Sequence, residues 1–150
     1  DVHQLKSNLK FLLAGVNIIH SKGVVAHSDG DILLHAVSDA LLGAAALGDI
    51  GCFFPDTDLK YKDLNSVVIL NFVLSELAKL SYQLVNVDVT IVLEKPKINP
   101  FIPEIKMSLS NMLNVQLNQV NIKATTSEKM GFVGREQGIA CYATVLLEKI

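Results

Sequence analysis

The run His27-Ser28-Asp29-Gly30-Asp31 opens a stretch, Ile32 to Leu47, in which apolar residues recur at helical spacing and ionisable ones recur four apart. Leu34, Val37, Leu41 and Ala45 recur at three and four, which predicts a packed helical face over roughly residues 30 to 47. Asp31, His35 and Asp39 recur at four, which predicts a second stripe of acids and imidazole. Ionisable groups are expensive on a helix otherwise made of Leu and Ala. That conflict marks a candidate site, against the plainer alternative of an acid ladder on a solvated face. Ser28 with Asp31 three residues on reads as a capping box, with Asp in place of the usual Glu. Asp29 and Asp31 also lie where the positive end of a helix favours carboxylates.

The rest of the chain alternates strands with helices. Asp1-Val2-His3, if extended, turns Asp1 and His3 to one side. Residues 11 to 19 predict two short strands around a turn at Gly15, and Gly23 to Ala26 a strand feeding His27. Residues 48 to 58, with two glycines, one proline and three aspartates, predict a loop. A second helix is expected over 65 to 82, burying Val68, Phe72, Leu77 and Leu80. Val85, Val87, Val89 and Ile91 alternate with Asn86, Asp88 and Thr90, a half-buried strand to about Leu93. Ile102 to Leu113 predicts a third helix with Pro103 in its first turn, where a missing N–H is harmless. Val120 to Thr125 and Ile139 to Leu147 predict strands, separated by a polar loop with a short helix. This order predicts a single α/β (α+β) domain over residues 1–150, its mixed four-stranded main sheet covered on one face by helices. The abrupt start at Asp1 leads us to expect that a leader or the beginning of the first strand precedes it.

Composition excludes several classes. A net charge of −2 argues against a nucleic-acid partner held by general basicity. No uncharged apolar run reaches the roughly 18 residues that a membrane span needs. Half of the residues are hydrophobic, so surplus apolar surface is expected to enter subunit contacts. Cys52 and Cys141 stand in no metal or redox spacing, which suits a reducing compartment.

Three groups of residues could carry chemistry. Asp1, His3 and His35 offer one carboxylate and two imidazoles, a zinc or manganese set that leaves a coordination position open. Asp39, one turn after His35, could accept its second ring N–H. Thr125-Thr126-Ser127-Glu128 could hold phosphate oxygens and magnesium, although Thr125-x-x-Glu128 is also a capping box. Gly131 to Arg135 offers close backbone approach and a cation, or a plain loop. Asp49 to Gly51 and Phe54 to Asp58 could bind polyol hydroxyls, or be turns. There is neither a Gly-x-x-x-x-Gly-Lys phosphate loop nor a Gly-x-Ser-x-Gly elbow.

Asp1-Val2-His3, Ala26-His27-Ser28-Asp29-Gly30-Asp31, Asp39-Ala40-Leu41-Leu42-Gly43-Ala44, Gly48-Asp49-Ile50-Gly51, Phe54-Pro55-Asp56-Thr57-Asp58, Lys95-Pro96-Lys97 and Lys123 through Lys129 together resemble the 2-C-methyl-D-erythritol 2,4-cyclodiphosphate synthase family, over essentially the whole chain. The resemblance implies a homotrimer with active sites between subunits. It implies conversion of 4-diphosphocytidyl-2-C-methyl-D-erythritol 2-phosphate to the cyclic diphosphate plus CMP, in isoprenoid precursor synthesis. By position, Asp1, His3 and His35 become ligands of Zn2+ (or Mn2+), and Glu128 the ligand of a Mg2+ (or Mn2+) bridging the substrate diphosphate. His27 and Thr126 become the catalytic, transition-state-stabilising residues, with Ser28 beside His27 on the substrate. Asp49, Ile50 and Gly51 with Phe54, Pro55, Asp56, Thr57 and Asp58 are expected around the methylerythritol part. Leu93, Pro96, Lys97, Ile98 and Asn99 with Ala124 and Thr125 are expected around cytidine. Phe132 and Arg135 resemble residues at a central cavity that takes an isoprenoid diphosphate. The resemblance implies a plastid (apicoplast or chloroplast stroma) in a eukaryote, and otherwise the bacterial cytoplasm.

The family's reaction needs no serine, cysteine or strong base, because the nucleophile is an ionised phosphate. Its obstacle is repulsion between anions, which metal ions relieve. The alternatives that share these ligands are a metal-dependent nucleotide phosphohydrolase and a non-catalytic trimeric zinc protein.

Overall fold

Alternation of Val87, Val89 and Ile91 with polar partners builds a long strand with one apolar face, and the main sheet forms around it. In the computed structural model, which describes residues 1–150, the elements are β1 (Val2–Ser7), β2 (Leu12–Leu13), β3 (Val16–Asn17), β4 (Lys22–Val24), α1 (Ile32–Ala44), α2 (Ile50–Phe53), α3 (Ser66–Lys79), β5 (Tyr82–Val92), α4 (Ile102–Leu113), β6 (Val120–Thr125), α5 (Gly131–Gly134) and β7 (Gly138–Lys149). The main sheet has five strands in the order β4-β1-β7-β5-β6. Only β5 and β6 run parallel; the other neighbours are antiparallel. β2 and β3 form a separate hairpin.

The sheet therefore has five strands rather than the expected four. β1 hydrogen-bonds both β4 and β7, so the first residues and the Lys22–Val24 segment both join it. Short strands carry too few side chains to show a clear period. β5 starts at Tyr82, inside the expected second helix, which ends at Lys79. Ser81 takes a positive φ of 61° there and turns the chain. The buried side of α3 is Ile69, Leu70, Val73 and Leu77; Val68 and Leu80 are exposed. The expected set mixed two helical phases.

Helices α1, α3 and α4 pack on β7, β5 and β6 respectively, closing a core of Val87, Val89, Ile91, Val120, Ile122, Ile139 and Cys141 under Leu33, Leu34, Leu70 and Leu109. α1 is buried on nearly every side. Ile32, Leu33, Leu34, His35, Ala36, Val37, Ser38, Leu41 and Leu42 are all buried, so the acidic and imidazole stripe is not a solvated face.

Its N-terminus also differs from the expected capping box. Asp31 is itself the N-cap, accepting from Leu34 N, while Ser28 Oγ accepts from Gly30 N. The Asp31 carboxylate, with no exposed surface, accepts further from Ala14 N at 3.0 Å and Gly15 N at 2.7 Å. Both residues have positive φ, 50° and 75°. One carboxylate thus holds the β2–β3 turn against the head of the core helix. Burial raises the Asp31 pKa, while its three N–H partners pull it back down.

Replacing Asp31 with Ala removes the cap and strands two buried N–H groups, so we expect a loss of about 2–4 kcal/mol in urea unfolding. A loss below about 1 kcal/mol would show that this carboxylate does not hold the two segments together.

Candidate active site and metal centre

Three separate parts of the chain meet at the mouth of one cleft. β1 is extended, so Asp1 and His3 project to the same side, and Asp1 is tied to β7 by paired bonds with Cys141 (Asp1 N to Cys141 O, 2.7 Å; Cys141 N to Asp1 O, 2.9 Å). α1 supplies His35 from one turn inside its N-terminus. Asp1 Oδ2 lies 2.9 Å from His3 Nε2 and 3.3 Å from His35 Nδ1, and the two ring nitrogens are 3.4 Å apart. A tetrahedral ion with bonds of about 2.0–2.1 Å sets its ligand atoms about 3.3 Å apart. The donor set fits a divalent cation in chemistry and in spacing, and Asp1, His3 and His35 are the one such group in the chain.

The rings are held from behind. His3 Nδ1 donates to the Val25 carbonyl at 3.3 Å, which leaves Nε2 as the bare nitrogen facing His35. Burial lowers the pKa of both rings; the backbone bond to Val25 opposes this at His3, and the neighbouring His3 adds to it at His35. Both imidazoles are therefore kept neutral, the form that binds metal. The Cys141 thiol, just beneath, is pushed up to about 12 by burial and stays protonated, so it is no ligand.

Asp39 does not orient His35. It accepts from Ile50 N at 2.8 Å and ties α2 to α1. The second nitrogen of His35, Nε2, instead meets Ser66 Oγ at 2.8 Å, with Ser28 Oγ at 3.2 Å. α1 carries Asp39 away from the ring, whereas the start of α3 packs directly against it.

The cleft, about 630 Å³, is lined by Asp1, His3, His27, Ser28 and His35 and by Ile50, Gly51, Phe54, Pro55, Asp56 and Thr57. Within it His27 Nε2 is buried without a hydrogen-bond partner in the chain. Asp49 and Asp58 do not line it. Asp49 caps α2 through Cys52 N, and Asp58 accepts from Lys60 N. The expected loop at 48 to 58 thus contains the one-turn helix α2.

A second cleft, about 220 Å³, gathers Leu93, Pro96, Lys97, Ile98 and Asn99 from beyond β5 with Ala124, Thr125 and Thr126 from the end of β6. The parallel β5–β6 pairing, with Val92 opposite Thr125, brings these two segments side by side. The two clefts share no lining residue, so His27 and Thr126 stand in different ones. Thr125 does not cap Glu128; the Glu128 N–H bonds Thr126 Oγ1 at 3.2 Å, and Glu128 and Lys129 both have positive φ in an exposed turn. Phe132 and Arg135 lie in neither cleft. Phe132 sits on α5 against Gly138, where an added Cβ would stand 2.7 Å from the ring, and Arg135 donates to Gln137 Oε1. Sequence reading missed Tyr61, Leu64 and Ile69 in the first cleft, Glu94 in the second, and Ser66, whose place one residue after the cap Asn65 looked merely structural.

The fold and the cleft define an α+β protein in which three donor side chains are grouped as a divalent cation would need them. The family model described as the YgbB family matches residues 1–148, and the chain belongs to that family. A relative from Geobacillus sp. (strain WCH70), named 2-C-methyl-D-erythritol 2,4-cyclodiphosphate synthase, is 51% identical over 149 residues, 99% of this chain and 94% of that one. The solved bifunctional IspDF from Campylobacter jejuni aligns with a TM-score of 0.96 and 41% identity, covering all of this chain and 41% of that one. Plasmodium falciparum IspF, solved as a CDP complex, aligns with a TM-score of 0.87 and 34% identity over 99% of this chain and 92% of that one. No helix is long and apolar enough to cross a membrane.

Because the folded chain keeps His3 and His35 neutral, the unfolded chain binds more protons just below the ordinary histidine pKa, and folding stability rises with pH there. In chelator, the urea midpoint of the metal-free protein should climb between about pH 5 and 7. The double variant His3→Gln, His35→Gln should climb less over the same range; equal slopes would contradict the burial of these rings.

Proposed function

We propose that this chain converts 4-diphosphocytidyl-2-C-methyl-D-erythritol 2-phosphate to 2-C-methyl-D-erythritol 2,4-cyclodiphosphate and CMP, a step of the non-mevalonate route to isoprenoid precursors. The observation that carries the reading is the convergence of Asp1, His3 and His35 on one point at the mouth of the cleft that holds the unpartnered His27 Nε2. The names of the relatives support it, and the CDP complex of the Plasmodium falciparum neighbour supports a cytidine nucleotide as the recognised half.

In the reaction an oxygen of the 2-phosphate attacks the β-phosphorus. The bond from that phosphorus to the oxygen bridging the α and β groups breaks, and its electron pair leaves on the phosphate of CMP. No proton need be removed from the nucleophile. The chain has to bend one flexible molecule and hold its charges together, and such positioning is worth up to roughly 7–11 kcal/mol in the best intramolecular cases.

Asp1 Oδ2, His3 Nε2 and His35 Nδ1 would hold the first cation, with Zn2+ favoured over Mn2+ by two imidazole nitrogens. When bound, that ion supplies charge neutralisation to phosphate oxygens. His27 Nε2 and the Ser28 hydroxyl are placed to hydrogen-bond phosphate oxygens at the same mouth, and Asp56 and Thr57 with the backbone of Ile50 and Gly51 to receive the polyol. Asp49 and Asp58 shape that loop by capping rather than by lining the cleft. The pocket of Pro96, Lys97, Ile98, Asn99, Ala124 and Thr125 is suited to cytidine. Thr126 sits at its edge with Glu128 two residues on. A single exposed carboxylate binds Mg2+ (or Mn2+) weakly by itself, so Glu128 would do so jointly with the diphosphate.

The separation of His27 and Thr126 into two clefts supports a homotrimer in which one subunit's first cleft faces its neighbour's second. Exposed Val2, Phe132, Tyr142 and Leu146 offer apolar surface for that contact. An isoprenoid diphosphate beside Phe132 and Arg135 belongs to the same assembly. Relatives near 50% identity are bacterial, which favours bacterial cytoplasm over a plastid. The phosphohydrolase alternative is not favoured by the relatives' names.

Incubation with the diphosphocytidyl substrate should produce the phosphorus NMR pattern of a cyclic diphosphate; free phosphate or a linear product would overturn the reading. His35→Ala should lose bound metal and at least about a thousandfold of turnover; full turnover without metal would refute the site. Glu128→Gln should leave zinc content unchanged and raise the magnesium needed for half-maximal rate about tenfold or more. An unchanged magnesium titration would remove Glu128 from that role.

A further inference from the structure

The carboxylate of Asp29 does not line the cleft, yet it has three donors around it. Asp29 Oδ1 accepts from Asp31 N at 3.1 Å and from Ser66 Oγ in a very short contact; Oδ2 accepts from Ser66 N at 2.9 Å. The adjoining backbone is cross-linked as well: Asp29 N donates to Leu64 O and Asp63 N to His27 O. The loop carrying His27 and Ser28 is thereby fastened to the first turn of α3. Ser66 is wholly buried, and its hydroxyl lies between the Asp29 carboxylate and the His35 ring.

A hydroxyl has one hydrogen to give. A carboxylate can only accept, so the Ser66 hydrogen goes to Asp29. Toward His35, 2.8 Å away, Ser66 Oγ is then an acceptor, and Nε2 of the ring must carry the hydrogen. That leaves the His35 lone pair on Nδ1, the nitrogen that faces His3 Nε2 and Asp1 Oδ2. Ser28 Oγ, the more distant neighbour of Nε2, accepts from Gly30 N and keeps its own hydrogen for the cleft.

We propose that Ser66, aligned by Asp29, is a positioning residue that sets the metal-binding tautomer and ring angle of His35 while leaving the Ser28 hydroxyl to the substrate. This deepens the reading of Asp1, His3 and His35 as metal ligands and rests on it. Such outer partners of a ligand histidine typically change metal affinity 10- to 100-fold when removed.

Two measurements test it. Long-range 15N–1H NMR of histidine-labelled, metal-free wild-type protein reads the tautomer directly. A His35 ring protonated on Nε2 is the expected result, and one protonated on Nδ1 overturns the proposal whatever any variant does. Zinc competition with a chromogenic chelator then compares wild type with Ser66→Ala, alongside circular dichroism. A folded Ser66→Ala protein with zinc affinity about 10- to 100-fold weaker supports the proposal. Affinity within twofold of wild type overturns it while leaving the metal site standing. If wild-type protein takes up no zinc, the reading of the ligands themselves fails, and the NMR result still decides the tautomer.

Discussion

One buried carboxylate holds together the parts of the structure on which the site depends. Asp31 accepts from the head of α1 and from both N–H groups of the Ala14–Gly15 turn, with no exposure to water. Two of those donors belong to residues with positive φ, a conformation that the sheet alone would not hold. The bond geometry keeps α1 at a fixed height over the sheet. His35, one turn further on, is consequently presented to β1 at ligand distance rather than buried out of reach. A charge in a helix of Leu and Ala is costly, and it persists here because both carboxylate oxygens have backbone donors.

The same principle recurs around the cleft. Asp39 takes the Ile50 N–H and brings the 48–58 segment beneath the metal donors; Asp49 caps the short helix there; Asp29 joins the His27–Ser28 loop to α3. Four aspartates that look in sequence like ligands or solvated acids serve as backbone fasteners. The groups left unfastened are the ones that face the cleft: His27 Nε2, Asp56, Thr57, and the donor atoms of Asp1, His3 and His35. This division of labour is what electrostatic preorganisation asks of a site that must hold several phosphate charges without rearranging.

Much of this was legible beforehand. The third helix, β6 and the short helix near residue 131 follow from local pattern, because proline at a helix start, alternation and glycine each act within a few residues. Asp1, His3 and His35 were readable as residue types that suit a borderline metal, whereas the segments of the second pocket were indicated only by the family resemblance. The missed features are all products of approach between distant segments. Asp39 lies four residues from His35 and seems its natural partner, but Ser66, 31 residues away, takes that place because α3 packs on α1. The fifth strand of the sheet was missed for the same reason: strands were expected near both segments, but their place in the main sheet is decided by the pairing of β1 with β4 and β7.

By itself, then, the order of residues determined which faces must be buried, where elements begin and end, and which side chains are chemically able to bind a metal or a phosphate. Packing decided which of those side chains are spent on backbone donors and which are left free. Covalent spacing constrains groups only over a turn or two of chain. Whether a carboxylate acts as a fastener or a ligand depends on the donors that a remote segment brings within about 3 Å, and that is known only once the helices lie on the sheet.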